Sequence, residues 1–229
     1  MPAKLSNVIE EYLEAIYRLQ ERNGIARTGD LVKMLNVAPG TITNTIERLE
    51  KDLLVIHEPY KGVQLTEEGR RIAIDVIRRH RLLERLLTDL LEVEWDKAHD
   101  IACQLEHWIP RDVAKKIEHV LKNPKTCPHG NPIPTEKGEI FEEKSFPLKD
   151  FKVGDKGIII KIADEKTNFL KYFNKLGIKP GKRIEIIEKA PMGDPIIIKI
   201  DGKICAINRS MASSIMIRKI KNGPEGDDQ

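Results

Sequence analysis

Between Arg79 and Trp108 the chain reads RHRLLERLLTDLLEVEWDKAHDIACQLEHW, and imidazole, carboxylate and thiol groups recur through it. If the stretch is helical, His80 stacks one turn before Glu84, and His99, Cys103, Glu106 and His107 share an arc of about 100° on a second helix. A face meant for water rarely gathers Cys, Glu and two His, and a buried face does not carry a carboxylate without a partner. Nitrogen, oxygen and sulfur donors together suit a divalent transition metal. For any one of these residues the alternative is a satisfied core histidine or a surface charge. Cys127 and His129, in CPHG, invite a zinc reading, but the pair lacks the second half of a zinc motif.

The elements that must position these groups follow from periodicity. Ile9, Leu13, Ile16 and Gln20, widened by Leu19, mark an amphipathic helix whose other side holds Glu10, Glu11 and Glu14. Arg27 to Leu35 forms a second short helix. Pro39, after Ala38, starts a third that runs to about Asp52 with Ile42, Ile46, Leu49 and Leu53 inward. Two short helices joined by a tight turn, the second opening on small and amide side chains, have helix-turn-helix geometry. Asn44 suits an adenine edge, the methyls of Thr41 and Thr43 suit a thymine methyl, and Arg27 suits a phosphate. With Ala38, Pro39 and Gly40 these are the candidate DNA contacts; a generic helical hairpin with a solvated face is the alternative. Leu54 to His57 and Gly62 to Leu65 predict a β-hairpin, which directly after a recognition helix is a wing. Thr66, Glu67 and Glu68 then cap a long helix carrying Ile72, Val76, His80 and Leu83.

Leu82, Leu83, Leu86, Leu87, Leu90 and Leu91 cover more helix circumference than one core contact uses, so a symmetric homodimer interface is expected. Pro110 opens a further helix to Leu121. Prolines at 124, 128, 132, 134 and 147 make the next stretch a stiff connection. GIIIKI, RIEII, PIIIKI and KICAI then read as strands, with Asp201-Gly202 as a hairpin turn and one short helix over Asn168 to Leu176.

Composition bounds the function. The 229 residues are 40% hydrophobic and 33% charged, which describes a folded protein of two or three domains. Three scattered cysteines argue against a disulfide framework and for a reducing cytoplasm. The opening residues lack an apolar signal segment, and no run is long enough for a membrane helix. Residues 1–75 hold ten basic and twelve acidic side chains, net −2, so DNA binding is expected to be weak until bound cations add positive charge.

HRLLERLLTDLL, HDIACQLEHW and GNPIP at Gly130 to Pro134 resemble the metal-dependent repressors typified by the diphtheria toxin repressor and the iron-dependent regulators, and the likeness spans nearly the whole chain. It implies a multi-domain α+β fold: a winged helix-turn-helix over 1–74, a helical metal-binding dimerisation domain over 75–122, a proline-rich linker over 123–147, an SH3-like β-barrel over 148–220 and a disordered tail over 221–229. LGIKPG and APMGDP make the barrel similar to FeoA-type proteins. The resemblance implies a primary metal site of Glu11, Cys103, Glu106 and His107. It implies an ancillary site of His80, Glu84 and His99 with Glu165 and Asn168, and an anion beside Arg81 and Asn131. The expected cofactor is Fe²⁺, with Mn²⁺, Co²⁺, Ni²⁺ and Zn²⁺ as alternatives, at two ions per subunit. Cys103 points to iron and Glu11 to manganese.

The expected function is a metal-activated homodimeric regulator, an Fe(II)-dependent repressor of metal-uptake genes on a palindromic double-stranded operator. No catalysis, membrane or small organic substrate is called for. A Mn(II)-responsive member, a winged-helix sensor of an organic ligand and a metallohydrolase are the alternatives; the last lacks HExxH or another recognisable catalytic pattern.

Overall fold

The computed structural model describes residues 6–58 and 60–220, so the expected tail lies outside the described residues. The chain divides into two compact units, each assembled from three stretches. Met1–His80, Gln104–Lys115 and Pro134–Ile140 make the first; Arg81–Cys103, Lys116–Ile133 and Phe141–Gln229 make the second.

In the first unit α1 (Asn7–Asn23), α2 (Thr28–Leu35) and α3 (Pro39–Lys51) are followed by the antiparallel hairpin of β1 (Val55–Glu58) and β2 (Gly62–Leu65). Leu13, Ile16, Leu31, Ile42, Ile46, Leu49, Val63, Ala73 and Ile77 fill one core. Asn36, left-handed at φ 53°, ends α2, and Pro39 opens α3 where its missing N–H costs nothing. Leu53 falls outside that core at 76% exposure, because α3 stops at Lys51 and the backbone turns to φ 58°. The wing is fastened to the α1–α2 connection by the Ala26–Val63 bridge and to α1 by Leu65 N–H donating to Gln20 Oε1 at 3.0 Å. Gly62 is required there, since a Cβ would lie 2.7 Å from the Ala26 carbonyl. Thr66 Oγ1 accepts from Gly69 N–H at 3.1 Å and caps α4 (Glu67–Asp89), which belongs to this unit as far as His80.

The second unit takes the rest of α4, α5 (Ala98–Leu105) as far as Cys103, and the end of α6 (Arg111–Val120). It also holds a sheet built from β3 (Phe146–Pro147), β4 (Lys156–Ile162), β5 (Arg183–Lys189), β6 (Ile196–Ile200), β7 (Lys203–Ile207) and β8 (Ile215–Lys219). The strand order is β3-β8-β4-β5-β6-β7, every pairing is antiparallel, and register shifts in β4 and β5 bend the sheet. Here α7 (Thr167–Leu176) connects β4 to β5, and α8 (Arg209–Ser214) connects β7 to β8. Alternate isoleucines of the strands join Leu148, Leu170 and Phe173 in the core. The sheet is open, in place of the closed barrel expected from sequence: β3 is two residues long and pairs only with β8, which leaves it and β7 as edges. The positive φ of Asp201 and Gly202 forms the expected turn between β6 and β7. Leu82, Leu83 and Leu87 are buried, whereas Leu90 and Leu91, beyond the end of α4, are 50% and 60% exposed.

Candidate metal centres

The first unit gathers carboxylates and imidazoles from α1, α4 and the short 3₁₀ turn Glu106–Trp108. His80 Nδ1 lies 2.6 Å from Glu106 Oε2, and His107 Nδ1 lies 2.8 Å from Glu10 Oε2. His107 Nε2 is 3.4 Å from Glu106 Oε1. Arg79 is the clamp: Nη2 donates to Glu10 Oε1 at 3.0 Å, Nη1 to the Glu106 carbonyl at 2.6 Å, and Nε faces Asp75 at 3.3 Å. Burial raises the Glu10 pKa, but the His107 bond and the Arg79 charge outweigh it and the net shift is downward. Burial also dominates at Glu106 and raises its pKa despite the bond to His80. His107 is raised by its bond to Glu10. Glu14 is buried beside the same histidines and paired with Arg18; burial works against its ionised form, and the neighbouring charges still bring its pKa down.

The second unit holds a tighter group. One donor atom from each of Glu84, Cys127, His129 and Glu165 lies within 4.8 Å of the others, and all four residues are buried. Glu84, on α4, places Oε1 3.1 Å from His129 Nδ1 and 3.1 Å from His99 Nδ1. Glu165, in the β4–α7 connection, places Oε1 3.3 Å from His129 Nδ1 and 3.8 Å from Cys127 Sγ. Its Oε1 also accepts from Asn131 Nδ2 at 2.8 Å, and the same amide donates to the Ile162 carbonyl at 2.9 Å. His129 Nε2 sits 3.0 Å from the Trp95 carbonyl, which can only accept, so Nε2 carries the proton and Nδ1 is the atom turned toward the donors.

Backbone hydrogen bonds also hold the loop carrying Cys127 and His129. Gly130 N–H donates to the Cys127 carbonyl at 2.9 Å, Cys127 N–H to the Asn131 carbonyl at 2.8 Å, and Ile162 N–H to the His129 carbonyl at 2.8 Å. Gly130 takes φ 86° and lies so close to β4 that a Cβ would meet the Ile160 carbonyl at 2.1 Å.

Two buried carboxylates and a thiol in one space demand positive charge. Protons supply it in the metal-free protein. Burial opposes a charged His129, yet Glu84 and bonds to Cys127 and Glu165 raise its pKa well above 6.5. Burial and Glu84 also work against Glu165 ionisation, but the His129 bond prevails and brings it down to about 2. Burial, reinforced by Glu84, pushes the Cys127 thiol up to about 11. Sulfur, nitrogen and two oxygens fit a divalent transition ion that displaces the His129 and Cys127 protons.

The structure sorts the residues singled out from sequence. Glu106, His107 and His80 come together in the first unit. Glu11 is exposed on α1, because one residue on a helix is a turn of about 100°; Glu10 faces His107 instead. Cys103 belongs to the second unit and is exposed, its Sγ 3.8 Å from His99 Nε2. The helical arc that joined Cys103 to Glu106 and His107 breaks where α5 gives way to the 3₁₀ turn, which leaves Cys103 exposed and Glu106 buried. Glu84, His99 and Glu165 meet in the second group. Asn168 is exposed on α7, and the amide beside Glu165 is Asn131. Arg81 donates to the Pro132 carbonyl of the same loop. Sequence reasoning missed Glu10 and Glu14, whose i, i+4 spacing was the available signal, and undervalued Cys127 and His129, whose partners are Glu84 and Glu165. Arg27, Ala38, Pro39, Gly40, Thr41, Thr43 and Asn44 are all exposed, and Thr43 Oγ1 donates to the Pro39 carbonyl at 3.2 Å.

Comparison with known proteins places this geometry. Residues 4–63 match the family model "Iron dependent repressor, N-terminal DNA binding domain", residues 66–135 match "Iron dependent repressor, metal binding and dimerisation domain", and residues 146–219 match "FeoA domain". The diphtheria toxin repressor of Corynebacterium glutamicum is 30% identical over 228 residues, covering 95% of this chain and 98% of its own. The iron-dependent repressor IdeR of Mycobacterium leprae is 28% identical, covering 94% and 99%. A manganese-dependent transcriptional repressor solved in complex with manganese superposes with a TM-score of 0.84 at 30% identity, covering 93% of this chain and all of its own. IdeR of T. acidophilum gives 0.78 at 26%, covering 92% and 97%. With two carboxylate–imidazole centres, a helix-turn-helix and a wing in one chain, and likeness along nearly its full length, the chain belongs to the family of metal-dependent transcriptional repressors that includes the diphtheria toxin repressor and IdeR.

Proposed function

We propose that this repressor is an Fe²⁺-responsive homodimer that holds two divalent ions per subunit and binds a palindromic double-stranded operator through α3. The observation that carries the reading is the convergence of Glu84, Cys127, His129 and Glu165 in a buried group whose own charges call for a cation. Cys127 is the soft donor that favours iron over manganese, a role that sequence gave to Cys103. The first group, without a thiol, offers Glu10, Glu14, His80, Glu106 and His107 to a harder ion. When bound, a divalent ion supplies the positive charge otherwise carried by protons and Arg79. Glu10 attaches α1 to His107 and to Arg79 on α4, and α1 packs on α2 and β2; holding α1 therefore sets the orientation of α3 within its own unit. Asn44, Thr41 and Gly40 then face the bases and Arg27 the phosphates. The exposed Leu90 and Leu91 support the homodimer.

The test begins by selecting an operator duplex from a random pool with metal-loaded protein. Binding to it is then titrated with Fe²⁺, Mn²⁺, Co²⁺ and Zn²⁺ without oxygen, for wild type, Cys127→Ser and Cys103→Ser. Fe²⁺ should activate wild type best, Cys127→Ser should shift the ranking toward Mn²⁺, and Cys103→Ser should keep the wild-type ranking. Binding indifferent to every ion would overturn the metal reading; a shifted ranking in Cys103→Ser alone would return selectivity to Cys103.

A further inference from the structure

Charge is distributed unexpectedly for a DNA-binding protein. Residues 4–63, which match the DNA-binding family model, hold eight basic and nine acidic side chains, net −1. Residues 146–219 hold sixteen basic and eight acidic, net +8. The excess is concentrated: from 166 to 183, along α7 and the turn into β5, stand Lys166, Lys171, Lys175, Lys179, Lys182 and Arg183 and no acidic residue.

Local pairing accounts for only part of it. Lys166 pairs with Asp164 at 2.9 Å, Lys182 with Asp201 at 2.7 Å, and Lys179 Nζ lies 5.3 Å from the centre of the Trp95 ring. Asp96 and Asp100 approach α7 through Asn174 and Thr167, at 2.6 and 2.8 Å, rather than through its lysines. Lys171 and Lys175 are exposed one turn apart on α7, Arg183 is exposed at the start of β5, and none of the three has an ion-pair partner among the described residues.

A solvated lysine face is the ordinary fate of such charge. Here the ligand of the family is itself a polyanion, and the domain that reads it has no positive excess. Sequence-independent affinity for DNA comes from neutralised phosphates and released counterions, so a protein with a near-neutral reading domain needs that contribution from elsewhere. We propose that the exposed face of α7 and the following turn form a second DNA-contact surface, which binds the phosphate backbone of double-stranded DNA through Lys171, Lys175 and Arg183 without regard to sequence. Flexible ammonium groups suit this, because they carry no base information. The inference rests on the reading of the chain as a DNA-binding repressor.

The test uses the full chain with Lys171, Lys175 and Arg183 all changed to Gln, a control with Lys116 and Lys122 on the α6 side changed to Gln, and a Lys171→Arg, Lys175→Arg variant that keeps the charge. Fluorescence anisotropy against a random-sequence duplex and the selected operator, over a series of KCl concentrations, gives the slope of log K on log salt. Each lost phosphate contact flattens that slope by about 0.9, so the triple variant should be shallower by about 2 to 3 for each subunit in contact, on both duplexes. The arginine variant should match wild type, the control should move much less, and thermal melting should confirm that all are folded. An unchanged slope, or equal flattening in the control, would overturn the proposal. So would normal DNA binding combined with lost binding to poly-glutamate, which would assign the surface to an acidic protein. Metal stimulation of operator binding is read in the same assay: if it persists with an unchanged slope, only this inference falls, and if it is absent while the slope flattens, only the metal-dependent reading falls.

Discussion

Asn131→Ala isolates the contribution of one positioned carboxylate. The Asn131 side chain, 6% exposed, makes two bonds through Nδ2: one to Glu165 Oε1 at 2.8 Å and one to the Ile162 carbonyl at 2.9 Å. A bond to a charged group contributes about 1.5–3 kcal/mol and a neutral one about 0.5–1.5 kcal/mol, so the metal-free protein should lose about 2–4 kcal/mol of unfolding free energy. The Ile162 bond is the same with or without an ion, and only the Glu165 bond bears on affinity. Its loss corresponds to roughly 10–100-fold, the usual cost of removing an outer partner of a metal ligand. Guanidinium denaturation measures the first number. Co²⁺ absorption against a competing chelator, without oxygen, measures the second and reports the Cys127 thiolate directly. A variant that loses the expected stability but holds Co²⁺ within twofold of wild type would show that Glu165 is not oriented for an ion.

Gly130→Ala should be worse than any ligand change for the second unit. The φ of 86° alone costs about 1–3 kcal/mol, and the 2.1 Å approach to the Ile160 carbonyl forces backbone apart on both sides of Cys127 and His129. Gly138→Ala, with similar φ but only Ile74 methyl carbons at 3.6 and 3.9 Å, is the matched control and should melt at a much higher temperature than Gly130→Ala. The pH response has a fixed sign. His129 is raised above 6.5, so its stabilisation of the metal-free protein is complete below about pH 6.5 and is lost as pH climbs through the raised value. Glu165 falls from 4.5 to about 2, so its contribution is present above about pH 4.5 and is lost toward pH 2. Metal must displace the His129 and Cys127 protons, so affinity at the second group should rise through neutral pH and metal addition should acidify a weak buffer; a flat profile would refute this assignment.

Legibility followed the range of the interactions. The helix-turn-helix, the wing and the strands were readable because period, caps and turns are local: Pro39 at the start of α3 and Asp201-Gly202 between β6 and β7 each act over a few residues. Glu106 and His107 were readable as chemistry, but their partners Glu10 and His80 are brought in by folding. Which of Glu10 and Glu11 turns inward depends on the rotation of α1, set by packing of Tyr12, Leu13 and Ile16. The open sheet was illegible for a related reason: strand periodicity says which face is buried and not whether edges meet. Cys127 and His129 looked like half a motif because the other half, Glu84 and Glu165, is 43 residues before Cys127 and 36 after His129.

The three-way interleaving of the two units gives them different birth dates on the ribosome. The first unit is complete once Ile140 has been added, whereas the second waits for strands that end at Lys219. At about 5–20 residues per second, some eighty further residues take roughly 4–16 s. Cys127 and His129 are synthesised before Glu165, the carboxylate that completes their group, and before the strands that enclose it. The thiol is therefore made before the pocket that will bury it, and the nascent chain passes through a period in which Cys127 is open to oxidants and to stray metal.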